Sequence, residues 1–515
     1  MRLTLRIEVC KLAQRPIPLN WWPSADTAAE LRDNAFNHST VKTLFFYLLL
    51  TLSALTVRAQ NLPDLGDISQ SALSPVQERR LGESIMRQIR ANPAYLSDPE
   101  VMDYLNWIGY KLVANSPEPG GNFEFFAIDD ASINAFALPG GYIGVHTGLL
   151  LTAQSESELA SVLGHEIAHV TQRHIARMIA GQQKAGLASM AALAVAILAA
   201  RSNTDLAQAA VVAAQAGSIQ SQLNFSRDHE READRIGLQI VDSTGFDVHA
   251  MPVFLERLQR SSRLYEGGAP SYLRTHPLTF ERVADVQNRT QPMPFKLIPD
   301  SQDFHFIRAR LAAVKGAPAD AVASFKLLLA EKKYASEAAT RYGYAIALMR
   351  ANDFASARES LFSLQRSSGN QAMVQALSAE LMVKSGKVNE GLAAYQAALA
   401  DHPNRSALIY GYSEALLDAG RNPQAVEFLD DRISRARPDP RLYELQARGY
   451  IAMGKRLLRH RAQAEAYLLR GNLTAAIEQL RLAQAGGDGN FYQQSSVEAR
   501  LNELKALDAE LRRRE

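Results

Sequence analysis

Two histidines and one glutamate at close spacing are the residues of this sequence best suited to chemistry. His165 and His169 stand four positions apart, and Glu166 lies between them. On a helix this spacing places both imidazoles on one face, about one turn apart, where they can bind the same metal ion. Glu166 would then lie beside that ion, able to take a proton from an attacking water without being a ligand. The pattern predicts a hydrolytic metal site.

Such a site needs a third ligand, because catalytic zinc sites have three protein ligands and one open position. Glu230 is the candidate, on a second helix predicted over about residues 226–244. Asp234, one turn further along, is placed to accept the outer N–H of a ligating histidine and so fix its tautomer. Glu232 lies about 200° around the helix from Glu230 and cannot share its face. The sequence therefore predicts a ligand set of two histidines and one glutamate.

Four further histidines are interpreted separately. Helical spacing places His174 on an apolar face opposite the ligand pair, which indicates a packing role. We expect His229 to point away from the site. His146 is expected to occupy a solvated loop position, and the alternative is that it approaches the site from the hairpin. His276 is the exception, because it could stabilise the oxyanion of a tetrahedral intermediate or occupy the metal's open position in a resting state. Both alternatives for His276 remain open.

The elements that position these residues can also be predicted. Residues 155–178 are expected to form one helix, because Ser155 and Glu158 make a capping box and no Pro interrupts the residues after them. Upstream, helices are predicted over residues 75–90 and 99–114. The ligand pair then lies in the middle of a continuous helix.

A predicted hairpin precedes that helix. Its first strand includes Asn134, Ala135 and Phe136, and its second covers residues 142–146. A strand beside a metal site can pair with an extended peptide and hold the scissile bond over the metal. The alternative is an ordinary structural hairpin.

Length and composition limit the classes of function. A chain of 515 residues is too long for one core, so two domains are expected. The 56 basic and 54 acidic residues nearly balance, and no basic block indicates nucleic acid. The single cysteine, Cys10, lies in a segment predicted to be removed, so disulfides and thiolate catalysis are excluded. Histidines and carboxylates are left as zinc ligands.

The N-terminal region resembles a leader rather than a domain. Residues 1–40 are predicted to be a non-native upstream extension, and residues 41–59 a secretory signal peptide cleaved near Ala59. The alternative for residues 41–59 is an uncleaved anchor. Secretion in a chain of bacterial character indicates the periplasm. Residues 185–200, the uncharged part of an Ala-rich segment that continues to residue 216, are too short to span a membrane. They are expected to form a buried helix or a lid, and a membrane-touching segment is the alternative.

The C-terminal half has an internal period. Gly386, Gly420 and Gly454 are 34 residues apart, and Asn352 falls one period earlier. This spacing predicts an array of tetratricopeptide type over residues 296–515. Such solenoids bind peptides or proteins and are almost never catalytic.

These motifs together resemble the HtpX/CAAX-protease family of zinc metallopeptidases. The resemblance rests on four segments of this chain: His165 to His169, Ser226 to Asp234, Asn134 to Gly141, and Thr275-His276-Pro277 with Arg282. It implies one Zn²⁺ per chain with Glu230 as its third ligand. It also implies a regulatory or transition-state role for His276 and transition-state support from Arg282.

The resulting prediction is an α+β, mostly α protein: a zincin-like metallopeptidase domain with a small sheet over residues 60–295, then the all-α repeats. The resemblance implies a zinc endopeptidase that acts on unfolded or misassembled proteins during outer-membrane β-barrel assembly. The repeats would bind substrates or the assembly machinery, and peripheral membrane contact is left open. The alternative is a periplasmic chaperone or scaffold with a latent or structural zinc site. A membrane-embedded prenyl-protein peptidase is set aside, because this sequence lacks the membrane spans that such an enzyme needs.

Overall fold

The computed structural model describes residues 73–181, 227–264, 271–435 and 439–514. The predicted extension, signal peptide and Ala-rich segment lie outside these described residues. Within them, no helix combines the length and the apolar character needed to cross a membrane. The α+β, mostly α fold class is confirmed.

A small four-stranded sheet supports the first half. Its strands are β1 (Tyr95–Leu96), β2 (Glu124–Ile128), β3 (Ala135–Leu138) and β4 (Tyr142–His146). Their order is β1-β2-β4-β3, with β2 and β4 parallel and the other neighbours antiparallel. Among the described residues, β3 therefore has a strand neighbour on one side only. Gly140 and Gly141, at φ of 78° and 86°, make the turn between β3 and β4, where a left-handed backbone favours glycine.

Helices surround this sheet. Two of them begin as their sequences predict, since Ser74 caps the first and Asp98 caps the second, each followed by Pro at the first helical position. The helices of this half are α1 (Pro75–Ala91), α2 (Pro99–Val113), α3 (Thr147–Thr152), α4 (Glu156–Thr171), α5 (His174–Gly181), α6 (Arg227–Thr244), α7 (Ala250–Leu264), α8 (Ser271–Thr275) and α9 (Phe280–Thr290).

The prediction of one unbroken helix over residues 155–178 is wrong. After α4 ends, Arg173 adopts a left-handed backbone with φ of 52°, and α5 begins at His174. That conformation costs a non-glycine residue about 1–2 kcal/mol. Arg173 is held in it by tertiary contacts, because its guanidinium donates to the Glu78 carboxylate on α1 at 2.9 Å. Helical spacing alone could not detect this break.

Two glycines allow α4 and α6 to pack closely. A Cβ at Gly237 would lie 3.0 Å from the backbone nitrogen of His165, and one at Gly164 would lie 3.1 Å from the Gly237 carbonyl oxygen. Both distances are shorter than ordinary contacts, so larger residues would force the helices apart. This close crossing brings the acidic face of α6 against the histidines of α4.

Twelve helices follow in the second half of the described chain. The turns between paired helices contain left-handed residues at the predicted 34-residue interval, with φ of 61° at Asn352, 83° at Gly386, 73° at Gly420 and 69° at Gly454. The helices are α10 (Gln302–Val314), α11 (Pro318–Glu331), α12 (Glu337–Arg350), α13 (Phe354–Ser368), α14 (Ala372–Lys384), α15 (Val388–Asp401), α16 (Ser406–Asp418), α17 (Asn422–Arg435), α18 (Pro440–Ala452), α19 (Arg456–Leu469), α20 (Leu473–Ala485) and α21 (Phe491–Arg514).

The two halves contact each other at several places, and α2 is one of them. Arg310 on α10 donates to both carboxylate oxygens of Asp98 at 2.9 and 2.7 Å, and the Ser406 amide and hydroxyl each lie 2.8 Å from Asp103. Polar contacts therefore join the halves at the N-terminal end of α2. The boundary between residues 295 and 296 stays a prediction.

Candidate metal centre

Four buried side chains converge where α4, α6 and the residue after α8 meet. They are His165, His169, Glu230 and His276, each 1% exposed, and one nitrogen or oxygen from each lies within 4.8 Å of the others. Nε2 of His165 is 3.0 Å from Nε2 of His169 and 3.6 Å from Oε2 of Glu230. His276 Nδ1 lies 3.3 Å from His165 Nε2 and 3.1 Å from Glu230 Oε1. These residues could hold a metal ion.

The spacing of these atoms fits a tetrahedral ion. Zinc–nitrogen and zinc–oxygen bonds of about 2.0–2.1 Å place the corners of a tetrahedron about 3.3 Å apart. Five separations between these side chains, measured to one or the other oxygen of Glu230, range from 3.0 to 3.6 Å and bracket that value. The nitrogens of the remaining pair, His169 and His276, lie within 4.8 Å of each other. Three imidazoles and a carboxylate are also a donor set that zinc accepts. Both the geometry and the chemistry of these residues thus fit the metal that the sequence predicts.

His165 is held from outside by Asp234. Oδ1 of Asp234 lies 2.9 Å from Nδ1 of His165, so the carboxylate can accept the outer N–H and leave Nε2 for a metal. Arg282 donates to both oxygens of Asp234, at 2.7 and 2.9 Å, and its Nη1 lies 2.5 Å from Glu230. The Arg282 guanidinium is therefore directed at the carboxylates of α6.

His174 is placed differently from its predicted packing position. Because α4 ends before it, His174 folds back, and its Nδ1 lies 2.8 Å from Nδ1 of His169. Its Nε2 lies 3.1 Å from Oε2 of Glu232, which also accepts from Arg177 at 2.8 Å. The His229 ring stacks on His174 with centroids 4.5 Å apart. The interpretation of His174 as a packing residue opposite the ligands is wrong.

Glu166 is fully buried beside the cluster. One carboxylate oxygen lies 3.3 Å from Nε2 of His276, and the backbone amide of Ala137 on β3 is directed towards the same carboxylate. Burial raises the pKa of Glu166, partly offset by His276 and His165. Glu166 thus lies next to the prospective ligands in a form able to exchange a proton.

The pKa of Glu230 is shifted in the opposite direction from that of Glu166. Burial alone would raise its pKa, but His276 and Arg282 together hold the pKa of Glu230 well below its ordinary value. The pKa of Asp234 is likewise lowered by Arg282 and His165 against the effect of burial. Both carboxylates of α6 are therefore stabilised as anions, which suits one as a ligand and the other as a hydrogen-bond acceptor.

Strand β3 directs one of its backbone edges away from the sheet. The His146 amide donates to the Asn134 carbonyl at 3.0 Å, and hydrogen-bonded pairs alternate along an antiparallel ladder. The N–H and C=O groups of Ala135 and Ala137 therefore point away from β4. The buried Asn134 Oδ1 has no hydrogen-bond partner among the described residues.

Tyr272 is a residue of this centre that the sequence did not predict. It is 2% exposed, and its ring stacks on His276 with centroids 4.6 Å apart. Its amide donates to the Ile133 carbonyl at 3.2 Å, just before β3. Its position four residues before His276 was the available sequence signal. Tyr272 fixes the segment carrying His276 against the edge of the sheet.

Comparison with known proteins gives matches to both halves. The model of Peptidase family M48 matches residues 102–290, and a tetratricopeptide repeat model matches residues 382–449. The Beta-barrel assembly-enhancing protease of Escherichia coli (strain K12) is 33% identical over 450 residues, 87% of this chain and 92% of that protein. The Putative beta-barrel assembly-enhancing protease of Vibrio cholerae serotype O1 is 41% identical over 325 residues, 62% of this chain and 66% of that protein. Mitochondrial metalloendopeptidase OMA1 of Schizosaccharomyces pombe is 30% identical over 216 residues, 41% of this chain and 60% of that protein.

The similarity to the Escherichia coli protein extends through both halves of the chain and nearly the whole length of that relative. The predicted combination of a metallopeptidase with tetratricopeptide repeats is confirmed. The chain therefore belongs to the family of beta-barrel assembly-enhancing proteases, metallopeptidases of family M48 that carry tetratricopeptide repeats.

Proposed function

We propose that this protein is a periplasmic zinc endopeptidase whose ion is bound by His165, His169 and Glu230. The observation that carries this proposal is the convergence of three buried ligand side chains at separations of 3.0 to 3.6 Å, which suit a tetrahedral zinc site, with Glu166 beside them. When bound, zinc would act as a Lewis acid and polarise the attacking water and the peptide carbonyl.

Glu166 is the proposed general base and general acid of the reaction. Its carboxylate accepts the proton of the attacking water and then delivers it to the nitrogen of the leaving amine. The raised pKa that burial gives Glu166 suits this double task, because a stronger base takes the proton more readily near neutral pH. Asp234 keeps His165 in its ligating tautomer, and Arg282 neutralises the paired carboxylates of α6.

Metal removal tests this function directly. A strong chelator should abolish cleavage of an unfolded protein, and one equivalent of zinc per chain should restore it. A chaperone or scaffold with a structural zinc would instead show no cleavage in either state while still preventing aggregation. Measuring proteolysis and aggregation in the same samples separates the two functions.

Substrate would bind along β3. β3 begins with Ala135 and Phe136, and Asn134 lies just before it. Ala135 is completely buried, so its edge of the strand must open before the backbone groups that β4 does not use can pair with an extended peptide. A cavity of about 670 Å³ beside the strand reaches His169 and is lined in part by Leu138 and Ile175. An extended segment on β3 would therefore pass close to the proposed metal.

Replacing Ala135 with Pro should selectively weaken substrate binding. Pro removes an N–H that β4 does not use, so the sheet keeps its ladder hydrogen bonds. Loss of one substrate hydrogen bond should lower kcat/KM by about 2- to 10-fold. The control Ala135→Gly keeps the amide and should cleave nearly as well as wild type. Equal kcat/KM values for the Pro and Gly variants would argue against pairing at this position.

His276 occupies a ligand position in this arrangement. Its Nδ1 lies among the ligand atoms and its Nε2 faces Glu166, so it fills the space that a reacting water and carbonyl require. We propose that His276 is a fourth ligand of a resting state and must withdraw for cleavage.

His276→Ala should therefore raise basal proteolysis. If the His276-bound form makes up nine-tenths of the population, removing it should increase the rate roughly tenfold. Zinc content should stay at one ion per chain. Reduced proteolysis with normal zinc content would instead support oxyanion stabilisation by His276, and an unchanged rate would reject both roles.

Similarity to the relatives supports a proposal for the substrate class and the location. The Beta-barrel assembly-enhancing protease of Escherichia coli resembles this chain over both halves, so we propose that this chain acts on misassembled outer-membrane β-barrel proteins. The repeats over residues 296–515 would bind these substrates or the assembly machinery. We also propose that residues 41–59 direct secretion. N-terminal sequencing of the protein from a periplasmic extract tests this, and a start upstream of Ala59 would contradict cleavage there.

A further inference from the structure

The helix break before α5 gives His174 a position that helical continuation would deny it. In an unbroken helix, residue 174 would lie about 140° around the axis from His169. Instead, the left-handed Arg173 turns the chain, and His174 places Nδ1 2.8 Å from Nδ1 of His169. His174 is completely buried, so these ring nitrogens meet away from bulk water.

The contacts of His174 allow one arrangement of protons when His169 binds a metal. If Nε2 of His169 is a ligand, its Nδ1 carries the proton and must donate it. Nδ1 of His174 is then the acceptor, so the proton of His174 is on Nε2. That nitrogen lies 3.1 Å from the Glu232 carboxylate, which accepts it. Each group thus specifies the tautomer of the next.

His165 is held by a comparable set of contacts, in which a carboxylate of α6 is paired with an arginine. His165 contacts the Asp234 carboxylate, and Arg282 neutralises Asp234. His169 reaches the Glu232 carboxylate through His174, and Arg177 neutralises Glu232. Both carboxylates are on α6, but two residues apart they project in directions about 200° different. Asp234 contacts His165 directly, whereas Glu232 reaches His169 only through His174.

We propose that His174 is a positioning residue that holds His169 in its metal-binding tautomer by linking it to Glu232 and Arg177. This inference rests on the proposed zinc site. Hydrogen-bond partners of metal-ligating histidines fix ring orientation and raise ligand basicity, and their loss typically weakens metal affinity about 10- to 100-fold. His174 would have that effect without touching either metal or substrate.

Two substitutions separate this role from simple packing. His174→Phe keeps a planar ring that can stack on His229, with a slightly larger volume, but removes both nitrogens. His174→Asn loses the ring but offers an amide oxygen near the position of Nδ1. Zinc dissociation constants would be measured by competition with a chromophoric chelator, together with unfolding temperatures of the metal-free proteins. His249→Phe, at a half-buried histidine outside the centre, is the matched control.

We expect zinc affinity to fall about 10- to 100-fold in His174→Phe, and to return towards wild type in His174→Asn. A packing role predicts the reverse order, because Phe preserves the packing better than Asn. Wild-type affinity in His174→Phe, or weaker binding by His174→Asn than by His174→Phe, would overturn the inference. Metal-free unfolding temperatures show whether any loss reflects the fold instead.

The same experiment distinguishes failure of this inference from failure of the proposed function. If the wild-type protein binds no zinc, the proposed function fails and the inference fails with it. If wild type binds zinc and cleaves substrate while His174→Phe retains full affinity, only the role of His174 is rejected.

Discussion

Replacing Glu166 with Gln should lower kcat/KM for an unfolded protein substrate by about 10²- to 10⁴-fold. The amide cannot accept the water proton, but it has nearly the same volume as the carboxylate and is not among the proposed ligands. Zinc content should therefore stay at one ion per chain. Proteolysis assays and metal analysis of the same preparation measure both quantities.

Glu281→Gln is a matched control, because Glu281 is exposed in the first turn of α9. It should cleave as wild type does. If Glu166→Gln keeps wild-type activity, proton transfer must be assigned to another group. The inactive variant should also retain uncleaved substrates, and identifying proteins it captures from a periplasmic extract would test the proposed β-barrel substrates.

Replacing Arg282 with Leu should lower the free energy of unfolding of the metal-free protein by about 3–5 kcal/mol. Arg282 is 2% exposed and contacts both Asp234 and Glu230, so its loss leaves two buried carboxylates without their counter-charge. Zinc affinity should also fall, because Asp234 would no longer be fixed against His165. Denaturant unfolding of the metal-free protein measures the first effect.

The pH dependence gives an independent check on Arg282. The lowered pKa of Asp234 contributes stability that is present above its unfolded pKa of about 3.9 and lost as pH falls through the folded value. In Arg282→Leu, burial without the guanidinium should raise that pKa. The stability difference between wild type and variant should therefore begin to narrow as pH falls through the raised pKa of the variant, above about 3.9, and should keep narrowing until pH is below the folded pKa of wild type. A constant difference across this range would mean that the loss comes from packing. Arg282→Lys, which keeps a charge but not the planar fork, should be intermediate.

Much of the local structure follows from short-range sequence rules. The caps at Ser74 and Asp98 start α1 and α2 where predicted, and the 34-residue interval predicts the left-handed turns of the repeats. These features depend on residues within a few positions of one another. Their energies are those of caps and backbone preferences, which act whatever the rest of the chain does.

The break after α4 shows where such rules fail. Nothing between Thr171 and His174 forbids a helix, and the prediction continued it to residue 178. The cost of the left-handed backbone at Arg173 is offset by its ion pair with Glu78. Glu78 lies on α1, 95 residues earlier in the sequence. Because that partner is distant in sequence, local spacing assigned His174 to the wrong side of the ligand pair.

The sequence by itself determined that His165, Glu166 and His169 share one helix at a spacing suited to a metal, because that geometry is set within one and a half turns. It also indicated which residue types could complete the site. The tertiary structure alone decided how close Glu230, Asp234 and His276 come to that helix and how His174 returns to His169. Those distances depend on packing between elements far apart in the chain, and here on the close crossing that Gly164 and Gly237 allow.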